Sequence, residues 1–284
     1  MRGTAQRVLQ GETGVERATS DDWQLMTNNL VAITRPPTDA LLRCELTHLE
    51  REPIDFQLAE TQHRAYEDAL RTLGAEVVSL APEPQWPDAV FVEDTALVLD
   101  EIGVMMNPGA ASRVPEVDTV AEALEHYRPL ARILLPATID GGDVLRAGRR
   151  IYVGLSSRTN REAVEQLTVV ATRHGYEVIA VPIAGCLHLK SACTYVGDNT
   201  ILANRAWLPS DAFPGLNVID VAEDEPRAAN SFFVGDTLVM ADNYPRTRAK
   251  LEASGRTVHP VALGELQKAE AGGSCMSLVF EDNR

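Results

Sequence analysis

One local pattern returns along the chain and constrains its fold more than composition does: an apolar strand, a turn of Gly, Asp or Asn, and a second apolar strand. It occurs in Phe91-Val-Glu-Asp-Thr-Ala-Leu-Val-Leu99, Asp143-Val-Leu-Arg-Ala-Gly-Arg-Arg-Ile-Tyr-Val-Gly154, Tyr195-Val-Gly-Asp-Asn-Thr-Ile-Leu202 and Phe233-Val-Gly-Asp-Thr-Leu-Val-Met240. These are predicted hairpins, and a return every roughly 40–50 residues is the signature of a repeat architecture that closes a ring or a solenoid. Amphipathic helices and a further strand fill the intervals. Residues 56–73 keep Ala59, Tyr66, Leu70 and Leu73 near one face and stop at Gly74, and Val77-Val78 begins the next strand. Thr159-Asn160 opens a second helix that ends at His174-Gly175 before Tyr176-Glu-Val-Ile-Ala-Val181. Pro245 opens a third, which stops at Gly255 before Thr257-Val258. Hairpin, helix and strand thus recur as an α/β unit, with strands expected inside and helices outside, unlike the all-strand blades of ordinary propellers.

The first unit is incomplete, because Leu30-Val-Ala-Ile33 has no local hairpin partner and the apolar strand Met276-Ser-Leu-Val-Phe280 is also unpaired. Pairing the two closes a ring of five units and removes a sheet edge open to aggregation. An unclosed α/β layer fold is the alternative. Residues 1–27, rich in Glu, Arg and Asp, are expected to form a peripheral extension, and residues 28–284 a single domain.

With 284 residues and 45% hydrophobic content, the chain can bury a large core without disulfides or metals. No apolar run approaches the roughly 20 residues that span a bilayer, and the N-terminus is polar and acidic, unlike a secretion signal. The four cysteines, Cys44, Cys186, Cys193 and Cys275, show no paired framework. A cytoplasmic location is therefore expected. A net charge of −15, with lysine only at positions 190, 250 and 268, makes nucleic acid and anionic membranes poor partners. A small cationic ligand is compatible with that balance.

The residues that could carry chemistry lie at strand ends. Cys275 sits in Gly272-Gly273-Ser274-Cys275-Met276-Ser277, where glycines leave a thiol open to substrate and a distant histidine could act as its acid and base. Asp88, Glu93 and Asp94 bracket Ala89-Val-Phe-Val92, expected as a strand, and acidic density buried there needs a cation. Asp140-Gly-Gly-Asp143 reads as a tight turn before a strand, and His188 is flanked by leucines. Taken singly, each has a bland reading: a buried thiol, turn carboxylates, a satisfied core histidine. Cys186 and Cys193 around His188 invite a zinc site, but the chain lacks the second cysteine pair such a site would use.

Together the segments Trp86-Pro-Asp-Ala-Val-Phe-Val-Glu-Asp94, Pro108-Gly-Ala-Ala-Ser-Arg113, Asp140-Gly-Gly-Asp143, Gly154-Leu-Ser-Ser-Arg-Thr-Asn160, Leu187-His-Leu-Lys190 and Cys275-Met-Ser277 resemble the dimethylarginine dimethylaminohydrolase family. That family belongs to the guanidino-group-modifying, amidinotransferase-like enzymes, whose fold is a five-bladed α/β propeller, the pentein fold. The resemblance implies Cys275 as nucleophile, His188 as proton donor and acceptor, and Asp140 as the carboxylate that orients it. It implies Asp94 and Glu93 as guanidinium ligands and Asp88 as a further substrate-binding aspartate. Arg113 and Arg158 would bind the α-carboxylate, while Leu46, in a lid, and Ala269, before the nucleophile, would touch the amino-acid end. The implied activity is hydrolysis of monomethyl- or asymmetric dimethyl-L-arginine to L-citrulline and an alkylamine through a cysteine thiouronium, with no metal and no cofactor. The implied partner is this small substrate, in a monomer or homodimer. An arginine deiminase-like hydrolase is the alternative within the class, and a non-catalytic protein that binds arginine derivatives is the alternative outside it.

Overall fold

Each repeat becomes a three-stranded sheet whose middle strand is antiparallel to one neighbour and parallel to the other. The computed structural model describes residues 29–284, so the extension expected over residues 1–27 lies outside the described residues. The strands are β1 (Leu30–Thr34), β2 (Glu76–Ser79), β3 (Ala96–Val98), β4 (Gly103–Met105), β5 (Leu130–Arg132), β6 (Val144–Ala147), β7 (Arg150–Leu155) and β8 (Glu177–Pro182). They continue with β9 (Cys193–Tyr195), β10 (Thr200–Ala203), β11 (Asn217–Asp220), β12 (Ser231–Val234), β13 (Thr237–Ala241), β14 (Thr257–Val261) and β15 (Ser277–Glu281). Five sheets result: β15-β1-β2, β3-β4-β5, β6-β7-β8, β9-β10-β11 and β12-β13-β14. The architecture is the five-bladed α/β propeller.

The first blade joins distant segments as expected. β1 runs antiparallel to β15, with Leu30 opposite Glu281 and Thr34 opposite Ser277, and parallel to β2. Helix α1 (Phe56–Thr72) crosses between β1 and β2; Asp55 caps it by accepting from the Leu58 amide, and Gly74, at φ 96°, ends it. Its inner face buries Ala59, His63, Tyr66, Glu67, Ala69 and Leu70, the spacing of an amphipathic helix. Polar groups on that face tie the blade together. Glu67 accepts from Thr34 Oγ1 of β1 at 2.7 Å and from Ser79 Oγ of β2 at 2.9 Å, while the Tyr66 hydroxyl shares a 2.6 Å hydrogen bond with Ser277 Oγ of β15.

Helices α2 (Val117–Leu124), α3 (Arg161–Ala171) and α5 (Pro245–Ala253) make the equivalent crossings in three other blades; the short α4 (Leu189–Ala192) lies between α3 and α5, and the short α6 (Gly264–Gln267) lies between β14 and β15. Asn160 caps α3 by accepting from the Ala163 amide. The fourth blade departs from the expected unit: its crossing contains only a 3-10 turn at Arg205–Trp207, in a segment interrupted by Pro209 and Pro214. Among the described residues, no helix is long and apolar enough to cross a membrane.

One expected strand is absent. Residues 89–92 form successive turns, with Phe91 N donating to Asp88 O at 2.9 Å, and Val92–Thr95 is a 3-10 helix. The first hairpin is instead β3-β4, with its turn at Asp100 and Glu101. A short apolar run buried on every side has no periodicity to distinguish a strand from a turn. Here Val90 and Val92 are 2% and 0% exposed.

The closure of the ring yields a stability test. Tyr66→Phe removes one partner of a fully buried hydroxyl pair and leaves Ser277 Oγ without it, which costs about 1–3 kcal/mol. The measurement is the urea midpoint at unchanged slope; an unaltered midpoint would show that the bond between α1 and β15 contributes nothing.

Candidate active site

Cys275 lies just before β15, on the loop that closes the first blade. Ser274 N donates to Asn230 Oδ1 at 2.9 Å, and the Cys275 carbonyl accepts from Glu93 N at 3.2 Å, which fixes the loop against residues 92–95. A Cβ at Gly272 would lie 2.2 Å from the Asn230 side chain, so this position requires glycine. Gly272 N in turn donates to Cys275 Sγ at 3.2 Å. Burial, together with the negative charges of Glu93 and Asp94, pushes the thiol above its ordinary range, against smaller opposing effects of the Gly272 amide and Lys190.

His188 caps α4, and its ring is buried between two carboxylates. Nε2 lies 3.0 Å from Asp140 Oδ2 and Nδ1 lies 3.9 Å from Asp94 Oδ1. Burial alone would lower its pKa, but Asp94, the Asp140 hydrogen bond and Asp143 outweigh it and raise the value to about 9. The resting pair is therefore a thiol and an imidazolium near neutral pH.

Asp140 is fully buried and accepts from Gly109 N at 2.8 Å through Oδ1, leaving Oδ2 for His188. The second glycine of Asp140-Gly-Gly-Asp143 is a matter of space. A Cβ at Gly142 would meet His188 Nδ1 at 2.5 Å and Asp94 Oδ1 at 2.8 Å, and Gly142 N donates to that same oxygen at 2.8 Å. Asp143 supports the histidine from behind by accepting from Ser156 Oγ, Thr159 Oγ1 and the Leu189 amide at 2.6, 2.6 and 2.9 Å. Burial pushes it up to about 6 despite those bonds and His188.

The acidic group expected at residues 88–94 is buried with its cations. Glu93 accepts from Lys190 Nζ at 2.5 Å and Ser274 Oγ at 2.8 Å, and burial raises its carboxyl. Asp94 accepts from Arg113 Nη1 at 2.5 Å. Burial would raise the Asp94 carboxyl, but His188 and Arg113 overcome it and hold the carboxyl down at about 2. Asp88 accepts from the Glu45 amide at 3.2 Å and is raised by burial.

Two arginines occupy different situations. Arg113 is 3% exposed and donates to Asp94, to Glu116 Oε2 and to the carbonyls of Asp88 and Phe91. Arg158 makes only a 3.5 Å contact with Asp140 and a 3.3 Å bond to Thr47 Oγ1. A cavity of ≈30 Å³ is lined by Asp88, Asp94, Arg113, Arg158, His188, Ala269 and Cys275 among others. Asp140 and Glu93 do not line it: Asp140 bonds to His188, which does, and Glu93 bonds to Ser274, the residue before Cys275. Leu46 does not line it: its half-buried side chain packs on the hydrophobic core, and the neighbouring Glu45 borders the cavity instead. A second cavity of ≈380 Å³ lies alongside and shares Leu187, Glu270 and Ala271 with the first.

Cys186 and Cys193 point away from zinc chemistry, since their sulfurs contact the carbonyls of His188 and Leu189 at 3.4 and 3.5 Å. Asp94, Asp140 and His188 do bring ligand-capable atoms within 4.8 Å of one another. Arg113 already supplies a cation to that group, and the raised pKa of His188 opposes the neutral imidazole a metal requires. Asp143, Lys190, Glu116 and Glu270 went unnoticed in the sequence as site residues. Only Asp143 and Lys190 had a signal, as the last residues of Asp140-Gly-Gly-Asp143 and Leu187-His-Leu-Lys190.

Comparison with known proteins agrees with this geometry. Residues 46–212 match the family model described as N,N dimethylarginine dimethylhydrolase, eukaryotic. The chain is 35% identical to the N(G),N(G)-dimethylarginine dimethylaminohydrolase of Pseudomonas aeruginosa, over 87% of this chain and 98% of that one. It is 36% identical to the protein of that name from Streptomyces coelicolor, over 87% of this chain and 95% of that one. Among solved structures, a mutant of the Pseudomonas aeruginosa enzyme complexed with citrulline superposes with a TM-score of 0.84 at 34% identity, covering 88% of this chain and 98% of that one. The N-terminal domain of a cyanobacterial arginine dihydrolase, at 19% identity and a TM-score of 0.79 over 88% of this chain and 97% of that one, shares the fold. On these matches the chain belongs to the dimethylarginine dimethylaminohydrolase family.

Proposed function

We propose that this protein is a hydrolase that converts Nω-monomethyl- and asymmetric Nω,Nω-dimethyl-L-arginine to L-citrulline and methylamine or dimethylamine. The observation that carries the proposal is the convergence on one cavity of a thiol, a raised-pKa histidine and buried carboxylates, in a chain of this family. The four cysteines are all free thiols, which supports a location in the cytoplasm.

A guanidinium is a weak electrophile because its charge is delocalised, so it must be held by carboxylates while a nucleophile approaches its central carbon. Asp94, Glu93 and Asp88 supply that negative field. Burial, with Glu93 and Asp94 adding to it, keeps Cys275 protonated, and a bound guanidinium offsets the two carboxylates, so the substrate cation itself favours the thiolate. Sγ, its proton released to solvent as the substrate cation binds, then attacks the central carbon to form a C–S bond. His188 gives its proton to the methylated nitrogen as the C–N bond breaks, and the amine departs. The remaining thiouronium on Cys275 is attacked by water, whose proton passes to His188. The C–S bond breaks, the water's second proton restores the thiol and the ureido group of citrulline forms. Asp140 holds the imidazole through Nε2, leaving Nδ1 on the Asp94 side for proton transfer. No step uses a metal or cofactor.

At the other end of the substrate the two arginines are unequal. Arg113 is engaged by four acceptor groups, whereas Arg158 is lightly bonded. Arg158 is therefore the principal ligand of the α-carboxylate, with Arg113 adding charge and fixing Asp94. The Leu46 and Ala269 backbones are expected to meet the α-amino group.

In a citrulline and amine-release assay, Cys275→Ser abolishes turnover while retaining substrate binding; normal citrulline formation by that variant would refute the nucleophile. Arg158→Ala raises KM for dimethylarginine, and wild-type activity on agmatine, which lacks the carboxylate, is weaker by about 2–5 kcal/mol in kcat/KM. Equal efficiency on the two compounds rules out the clamp. Preference for unmethylated arginine over the methylated forms moves the protein to the deiminase reading.

The resting thiol gives a pH test that needs no substrate. Because burial and carboxylates disfavour the thiolate, alkylation of Cys275 by iodoacetamide increases with an apparent pKa above the free-cysteine value of about 8.5. Full reactivity at pH 6 contradicts a resting thiol.

A further inference from the structure

Glu270 takes no part in the chemistry above, yet its carboxylate ties the loop before Cys275 to residues 45–52, a segment that borders both cavities and is called the lid below. Oε1 accepts from the backbone amides of His48 at 2.5 Å and Leu49 at 2.6 Å, and Oε2 accepts from Thr47 N at 3.0 Å. Three consecutive lid amides thus converge on one side chain located five positions before Cys275. Thr47 and His48 are otherwise exposed and Leu49 is half-buried, whereas on either side Glu45 N donates to Asp88 and Lys268 Nζ donates to the Pro53 carbonyl.

Backbone strain is a second, independent observation. Glu270 has φ 62°, in the left-handed region that favours glycine. The other described non-glycine residues there are Asp198 and Asn199, whose short side chains tolerate it through local hydrogen bonds. Glutamate has no such compensation, so the strained position is occupied by a side chain whose visible partners are the lid amides.

The cavities supply the third. The catalytic cavity measures ≈30 Å³, whereas ligand pockets run to about 300–1,000 Å³. The adjacent ≈380 Å³ cavity touches the lid at His48, Leu49 and Glu52 and the nucleophile loop at Gly272 and Gly273. Leu187, Glu270 and Ala271 border both and form the partition between them.

We propose that Glu270 is a positioning residue that latches the lid onto the nucleophile loop, and that its release opens the partition to admit substrate into the catalytic cavity. Relatching then holds the lid, including Leu46, and Ala269 in register around the amino-acid end. The identity of the admitted ligand rests on the methylarginine reading; the latch does not.

The test compares the wild-type protein with Glu270→Gly and Glu270→Gln. A residue with a purely structural role at φ 62° is relieved by glycine, so thermal stability alone would not fall. The latch requires more: in Glu270→Gly, Tm is equal or higher, while hydrogen exchange at Thr47, His48 and Leu49 rises about tenfold, the scale set by losing charge-assisted hydrogen bonds. Alkylation of Cys275 by neutral iodoacetamide accelerates in the same variant, and KM for dimethylarginine rises more than kcat falls. Glu270→Gln, which keeps the shape and loses the charge, falls between. Lid exchange and alkylation equal to wild type in Glu270→Gly overturn the latch, as does a lowered Tm with uniform loss of protection. Faster lid exchange and alkylation in a protein that hydrolyses no methylarginine would support the latch and sink only the substrate assignment.

Discussion

The burial of like charges at one end of the ring is the constraint on which the rest of the structure depends. Asp88, Glu93, Asp94, Asp140 and Asp143 are each at most 6% exposed, and isolated ionised carboxylates in such surroundings are strongly disfavoured. They are tolerated because Arg113, Lys190 and a protonated His188 are interleaved with them, and because backbone amides of Gly109, Gly142 and Leu189 point at the remaining oxygens. Removing one cation leaves an uncompensated charge, so the network is costly to break even where its net contribution to stability is small. Glycines recur here because a network this dense has no room for extra Cβ atoms, as the contacts expected at Gly109, Gly142 and Gly272 show.

The network also sets the chemical poise of the resting enzyme. Asp94 acts on both groups: with Asp140 and Asp143 it raises His188 to about 9, and with burial and Glu93 it keeps Cys275 a thiol. His188 and Cys275 are therefore both protonated at neutral pH, a state in which a thiol reacts slowly with electrophiles. Selectivity for cationic amidines is in this sense written into the nucleophile as well as into the binding groups.

Much of this was legible in the sequence, for local reasons. The hairpins at 143–154, 195–202 and 233–240 were marked by turn residues that adopt positive φ, among them Gly148, Asn199 and Gly235, and the helices stopped at Gly74, Gly175 and Gly255 for the same cause. The first hairpin was misplaced because residues 89–92 are apolar and buried without periodicity, and α2 went unseen because it spans only eight residues behind Pro115. Cys275, His188 and Asp140 emerged only as a set, since each alone resembles an ordinary buried residue. Arg113 was found, but its engagement with Glu116 and Asp94 was not, and Glu270 was invisible because its lid partners lie more than 220 positions away. Contacts of that separation leave no periodic trace.

The antiparallel pairing of β1 with β15 has a consequence for how the protein is made. Cys275 precedes by two residues the strand that closes the first blade, whereas Asp88, Asp94, Asp140 and His188 belong to segments that leave the ribosome much earlier. Synthesis proceeds from the N-terminus, and earlier segments begin to organise before later ones exist. Until residues 277–281 emerge and displace whatever β1 has paired with, the acidic network lacks its thiol and the propeller has an open seam. A nascent or prematurely terminated chain that lacks residues 275–281 thus carries the buried carboxylates and His188 without the thiol, and the pairing that closes the ring is also the one that brings Cys275 to them.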